Sequence, residues 1–227
     1  DSNLASLVTG NMVINGGSGD NVILAGGGDD RIDGGLGDDR LRGADGDDFI
    51  IGGSGDDALY GGDGDDLLYG GSGRDGDDFI SGGDGTDAAM FLYSYSGGED
   101  EETGQPTGTI TLAYDADTGE IYSSSGDAAA AESSGDTVER FEYEFTRTGG
   151  ANGAEVQVNV ELTDASGDVV FTDTVLSDVE GLLFVEPDED PDPTKAQDPN
   201  QFSGSVINVD DGVKSPTIQR AVDLADP

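Results

Sequence analysis

Gly52-Gly53-Ser54-Gly55-Asp56-Asp57-Ala58-Leu59-Tyr60 is followed at once by Gly61-Gly62-Asp63-Gly64-Asp65-Asp66-Leu67-Leu68-Tyr69. Both nonapeptides carry glycine at positions 1, 2 and 4, aspartate at position 6 and an aliphatic residue at position 8. Eight such copies fill residues 16–90, beginning at Gly16, Ala25, Gly34, Gly43, Gly52, Gly61, Gly70 and Gly82. The seventh is longer, with Arg74, Asp75 and Gly76 inserted near its turn. Glycine reaches backbone angles barred to other residues, so the first six positions predict a tight turn. Positions 7 to 9 suit a brief strand, whose alternation points position 8 inward and positions 7 and 9 outward.

Position 8 is Ile23, Ile32, Leu41, Ile50, Leu59, Leu68, Ile80 and Ala89. Burying one such side chain contributes roughly 1.5–3 kcal/mol, while each ordered residue costs about 1.5 kcal/mol. The position-8 residues alone do not hold such an array together. The chain also carries a net charge of -41, from 50 acidic and nine basic residues in 227, and repels itself unless cations neutralise it. Scattered acids would fit a disordered or salt-adapted chain, but these are locked to the period. Position 6 is Asn21, Asp30, Asp39, Asp48, Asp57, Asp66, Asp78 and Asp87, with Asp75 the other candidate in the extended copy. Position 4 is Gly19, Gly28, Gly37, Gly46, Gly55, Gly64, Gly73 and Gly85. Carboxylates and turn carbonyls at these positions are hard oxygen ligands, which suit calcium; magnesium takes fewer protein ligands and keeps its water. Zinc favours histidine or cysteine, and the chain has neither.

The tandem pattern Gly-Gly-x-Gly-x-Asp-x-apolar-x resembles the RTX (repeats-in-toxin, hemolysin-type) nonapeptides. That resemblance implies an all-β fold: a right-handed parallel β-roll in which successive copies build opposite sheets and calcium sits in the turns. Each ion would be shared by copies n and n+2. The implied pairs are Asp30 with Asp48, Asp39 with Asp57, Asp48 with Asp66, Asp57 with Asp78, and Asp66 with Asp87. These make about five ions; Asn21 with Asp39 makes a weaker sixth site, because an amide lacks the charge. The resemblance also implies export by a one-step secretion channel with an uncleaved C-terminal signal.

Residues 1–15 read as an N-terminal cap, since Ile14 lies nine residues before Ile23 and terminal repeats are usually atypical. On the even-numbered copies the outward residues become apolar toward the end of the array: Phe49, Ile51, Leu67, Tyr69, Ala88 and Met90. Such a patch predicts a contact surface for the segment that follows. Residues 91–185 read as an antiparallel β domain packed on or beside the roll. Ala88 to Tyr95 is expected to leave the array, Thr109 to Tyr122 to form a hairpin, and residues 123–136 to form a loop. Val138 to Thr146, Val156 to Leu162 and Val169 to Phe171 alternate as strands, and Asp173 to Phe184 closes the unit. The Val179-Glu180 step before an apolar strand is similar to a segment that often follows RTX arrays. Residues 186–200 are an acidic, proline-rich linker. Residues 201–227 are expected to begin a further domain, with a strand at Val206 to Val209 and a helix opened by Ser215-Pro216. The string from Ser215 to Ala225 resembles the cap helix of pectate-lyase-type parallel β-helices, so the chain is expected to be a piece of a larger protein.

These features bear on function. Without histidine or cysteine, and with no Gly-x-Ser-x-Gly elbow, no catalytic constellation is expected. The charge disfavours nucleic acid and anionic membrane surfaces, and no apolar run is long enough to span a bilayer. The leading expectation is a calcium-binding structural module of a large secreted or cell-surface protein, folding on calcium outside the cell. The alternatives are an adhesion module binding glycan or neighbouring subunits, with Tyr60 and Tyr69 as a stacking surface, and the non-catalytic part of a secreted polysaccharide-acting enzyme.

Overall fold

A computed structural model describes residues 9–71, 76–92, 95–96, 99–100, 105–106, 110–118, 121–122, 125–148, 157–176, 178–185, 205–208 and 214–215. Among the described residues nine strands come first: β1 (Val13–Asn15), β2 (Val22–Gly27), β3 (Arg31–Leu36), β4 (Arg40–Asp45), β5 (Phe49–Ser54), β6 (Ala58–Asp63), β7 (Leu67–Tyr69), β8 (Phe79–Asp84) and β9 (Ala88–Leu92). They pair in parallel with the strand two copies away, so odd-numbered strands build one sheet and even-numbered strands the other. The result is a β-solenoid of about four turns, consistent with a β-roll. Residues nine apart therefore lie on opposite walls, and residues eighteen apart lie in register.

The register explains the core. Ile14, Ile32, Ile50, Leu68 and Ala89 stack along one wall, and Ile23, Leu41, Leu59 and Ile80 along the other. Ile32, Leu41, Ile50, Leu59, Leu68 and Ile80 are completely buried, whereas Ile14 and Ile23 at the N-terminal end are only partly so. Residues 9–15 form one more coil, as their spacing predicts: β1 pairs with β3, and Asp29 N–H donates to Asn11 Oδ1 at 3.0 Å.

Glycine's freedom is used at positions 2 and 4. Gly53 and Gly55 have φ of 115° and 123°, and a Cβ on either would overlap the carbonyl of Gly35 or Gly37 in the coil before. Ala44 is the exception, a non-glycine at position 2 held at φ 102°.

Among the described residues ten further strands follow, with one helix: β10 (Tyr95–Ser96), β11 (Glu99–Asp100), β12 (Gln105–Pro106), β13 (Ile110–Asp115), α1 (Ser125–Ser134), β14 (Val138–Thr148), β15 (Gln157–Asp164), β16 (Val169–Leu176), β17 (Gly181–Val185), β18 (Ser205–Asn208) and β19 (Lys214–Ser215). Strands β11 and β12 pair only with each other, and the remaining strands continue both walls edge to edge. Strand β16 pairs in parallel with β8 and carries the antiparallel run β15, β14, β13 and β10 behind it. Strand β17 pairs in parallel with β9 and is followed by β18 and β19. The apolar even-copy face is covered as its composition demands. Phe49, Leu67, Tyr69 and Met90 are buried and Ile51 half-buried, in one continuous cluster with Leu112, Phe141 and Val160. Tyr143 edges against Phe91, and its hydroxyl donates to the Leu92 carbonyl at 2.9 Å.

Several sequence expectations change. Ala88 to Leu92 does not leave the roll; it is an inner strand between β7 and β17. The expected hairpin shrinks to a single bridge between Tyr114 and Ile121, because β13 takes β14 as its ladder partner. The expected loop contains helix α1. Its run Ala128–Ala131 has the highest helix propensity of any residue type, Asp127 sits in the first turn, and Gly135 ends it at φ 106°. Ser215 ends β19. The linker at 186–200 and the helix expected at 216–225 lie outside the described residues, as do Gly73 and Asp75.

Replacing Ala44 by glycine should stabilise the protein. Relief of the left-handed strain is worth about 1–2 kcal/mol, against about 0.5–1 kcal/mol for glycine's extra unfolded-state freedom. Thermal unfolding in millimolar calcium should show a rise in midpoint; a fall would contradict the assignment of strain to this residue.

Candidate metal centres

Each turn places its position-6 carboxylate beneath the preceding coil of the same wall. Oδ1 accepts the position-6 N–H of the copy two before it: Asp30 N–H to Asp48 at 2.7 Å, Asp39 to Asp57 at 2.7 Å, Asp48 to Asp66 at 2.8 Å, Asp57 to Asp78 at 2.9 Å and Asp66 to Asp87 at 2.8 Å. These are the five pairs expected from the sequence. At the N-terminal end the ladder continues, with Met12 N–H on Asp30 and Asn21 N–H on Asp39, both at 2.7 Å.

The second oxygen is the informative one. Oδ2 of Asp30, Asp39, Asp48, Asp57, Asp66 and Asp87 is buried with no hydrogen-bond partner, and each of these side chains is at most 3 % exposed. Its surroundings are oxygen. A Cβ placed on Gly61 would overlap both Asp66 Oδ2 and the carbonyl of Gly82, and the same holds at Gly34 for Asp39 and Gly52, and at Gly52 for Asp57 and Gly70. So the position-6 Oδ2 of copy n sits beside the position-1 carbonyl of copy n+2. A buried carboxylate oxygen without a partner carries a large desolvation cost, and here carbonyls face it where donors would be needed. The donor set therefore fits a hard cation. Among the described residues no three acidic side chains converge on one point; each candidate centre has two carboxylates, and backbone carbonyls would supply the rest.

Residues 9–41, 42–75 and 72–88 match the family model of the RTX calcium-binding nonapeptide repeat (4 copies). Residues 9–88 are an RTX array. Comparison with curated proteins finds no match, and neither does comparison with solved structures. RTX repeats are structural calcium-binding modules typical of secreted proteins, so calcium is the cation these turns are built for. Among the described residues no helix is long and apolar enough to cross a membrane.

The RTX register settles the position of the extended copy. Gly76 stands over Gly55 with φ 154°, where a position-4 glycine belongs, so the extra residues precede it and Asp78 takes position 6. The other position-4 glycines, Gly19, Gly28, Gly37, Gly46, Gly55, Gly64 and Gly85, stack in register along the two turn edges. Asn21 differs from its counterparts. Its Nδ2 lies where they hold Oδ2 and donates to the Gly19 carbonyl, so that turn satisfies itself.

Sequence reasoning missed two things. Position 5 is aspartate in seven of eight copies, and its Oδ1 accepts the position-5 N–H two copies on, as in Asp65 N–H to Asp47 at 2.9 Å and Asp77 N–H to Asp56 at 3.0 Å. The repetition was visible, but a second ladder running opposite to the first was not. Nor was the continuation of both ladders into the downstream segment. Asp78 N–H donates to Asp173 Oδ1 at 3.1 Å, Thr172 N–H to Asp77 Oδ1 at 2.7 Å, and Asp87 N–H to Glu180 Oε2 at 2.7 Å. The available signal was the acid-x-aliphatic spacing of Asp173-Thr174-Val175 and Glu180-Gly181-Leu182, which repeats Asp66-Leu67-Leu68. One expected surface is also corrected: Tyr69 is buried, and Tyr60 is half-buried between Arg40 and Phe79, so the two rings form no open stacking platform.

Burial, followed by the neighbouring position-6 carboxylates, pushes Asp48 and Asp57 up to about 7 and Asp66 to about 8, although each accepts a backbone hydrogen bond that pulls the other way. Asp87 rises to about 8 by burial and then the carboxylates of Glu180 and Asp178. Burial and the facing Asp173 raise Asp78 as well. These folded-state values lie above the ordinary carboxylate range near 4. Without metal, the protonated forms therefore favour the fold below about pH 4, and that contribution is lost as pH rises through 7 to 8. In chelator, β structure followed by circular dichroism should persist at pH 4–5 and fall between pH 6 and 9, and calcium should abolish that fall. A metal-free fold that strengthens with rising pH would contradict the assignment.

Proposed function

We propose that this chain is a calcium-dependent structural module of a secreted or cell-surface protein, folding outside the cell when calcium fills its turns. The observation that carries this reading is the set of six partnerless, buried Oδ2 atoms, five of them in successive turns from Asp30 to Asp66 and the sixth on Asp87. Asp30, Asp39, Asp48, Asp57, Asp66, Asp78 and Asp87 act as shared ligands, with position-1 and position-4 turn carbonyls completing the shells. Five ions fill the five aspartate pairs, adding ten positive charges against the net -41. The Asn21–Asp39 turn is weak or empty, because its amide is already satisfied.

Metal binding and folding then share one free energy. Cytosolic calcium is too scarce to fill sites of the roughly 10⁻⁴–10⁻³ M affinity of extracellular modules, so the acidic chain stays unfolded until export. We also infer that the array and residues 110–185 fold as one unit, since β16 and β17 complete the walls that β8 and β9 leave open. The module's role is structural, and the activity of any larger protein lies elsewhere.

At pH 8, circular dichroism of the whole chain should show a largely disordered spectrum in chelator and β structure in millimolar calcium. A spectrum already folded in chelator at pH 8 would overturn the reading. Asn21→Asp should add one bound ion by equilibrium dialysis and lower the calcium midpoint; an unchanged count would remove the Asn21–Asp39 turn from the set.

A further inference from the structure

Six orphaned Oδ2 atoms stand against five aspartate pairs, and the surplus one belongs to Asp87. Asp30, Asp39, Asp48, Asp57 and Asp66 are each followed two copies later by another position-6 aspartate. Asp87 is in the last copy and has no repeat after it. Its Oδ2 is nevertheless buried without a partner, on a side chain 2 % exposed.

The residues that follow Asp87 in space come from the downstream segment, in the register a ninth and tenth copy would have. Leu182 aligns with Ala89, as Ala89 does with Leu68. Two positions before Leu182 stands Glu180, whose Oε2 accepts Asp87 N–H at 2.7 Å, the bond that position-6 aspartates such as Asp66 and Asp87 make to the copy two before. A Cβ on Gly82 would overlap Asp87 Oδ2 and the carbonyl of Asp178, just as one on Gly61 would overlap Asp66 Oδ2 and the carbonyl of Gly82. Asp178 thus supplies the position-1 carbonyl and Glu180 the position-6 carboxylate. Asp178 is also locked in place: its Oδ2 accepts Ser81 Oγ–H at 2.7 Å, and its Oδ1 accepts Gly82 N–H at 3.3 Å. Its carboxylate is thereby engaged, which leaves the main-chain oxygen to face Asp87.

We propose that Asp87 Oδ2, the Asp178 carbonyl and the Glu180 carboxylate form a further divalent-cation site, built half from the last repeat and half from residues outside the repeat. A hard cation of calcium's class fits, since every donor is oxygen. The site rests on the calcium reading above and extends it. Its consequence is that the last ion bridges the array to β17, so the downstream strand and the terminal turn lock together only when the site is filled.

Glu180→Gln tests this. Glutamine keeps an acceptor for Asp87 N–H and removes the charge. Native mass spectrometry of the whole chain in calcium should count one ion fewer in E180Q than in wild type, and amide exchange should rise at 181–185 while residues 31–54 stay protected. Equal ion counts in both chains, with calcium bound, would overturn the terminal site and leave the array sites standing. No calcium on either chain would overturn both readings. Should E180Q fold poorly, Asp178→Asn serves as the control: it keeps the carbonyl donor, so it should retain the full count, and loss of an ion there would contradict the ligand assignment.

Discussion

Everything in this structure depends on a carboxylate with one oxygen satisfied and the other not. At Asp39, Asp57, Asp66 and Asp87 Oδ1 accepts a backbone amide from two copies earlier, while Oδ2 is buried without a partner beside carbonyl oxygen. The first contact fixes the register of the coils. The second makes that register costly without a cation, because a buried, partnerless charge costs more than one aliphatic residue per repeat returns. The glycines follow from the same demand. At the position-1 glycines Gly34, Gly52 and Gly61 a Cβ would overlap Oδ2, Ala25 being the exception at that position, and positions 2 and 4 bring backbones of successive coils into contact.

The constraint does not stop where the repeat pattern stops. Asp173 and Glu180, 95 and 93 residues beyond the amides they accept, take the places of the next two position-6 aspartates. A parallel solenoid otherwise ends in an open edge on each wall, which invites pairing with another chain. Here β16 and β17 cover both edges, one leading into an antiparallel run and the other into β18. The last coil of the array and the first strands of its neighbour are thus built on the same hydrogen-bond plan.

Much of this was legible in the sequence, for a physical reason. A nine-residue period forces like residues into register, so position 8 had to be the core and position 6 a stacked row of carboxylates, and the position-8 side chains are buried and the position-6 carboxylates stacked where the pattern puts them. The limits were equally physical. Asp173 and Glu180 do their work at long sequence separation and outside the period, so only three-dimensional register reveals them. The two aspartates of each turn look alike in sequence, yet position 5 staples forward with an exposed carboxylate and position 6 backward with a buried one. Helix α1 was hidden because serine and glycine flank the alanine run that forms it. The apolar drift of the even face, from Arg31 to Phe49 to Leu67, did foretell its burial. Its reading as a site for sugar stacking failed for the same reason: the ring of Tyr69 is inside.

The most direct test of the cation requirement is residue-resolved amide hydrogen exchange at pH 8, with calcium and with chelator. The amides of Asp30, Asp39, Asp48 and Asp66 report the ladder itself, since each donates to a carboxylate whose other oxygen is orphaned. Strong protection in calcium and exchange at unfolded rates in chelator is the predicted result. Equal protection under both conditions would mean the coils hold themselves together, and that the orphaned oxygens cost the fold nothing.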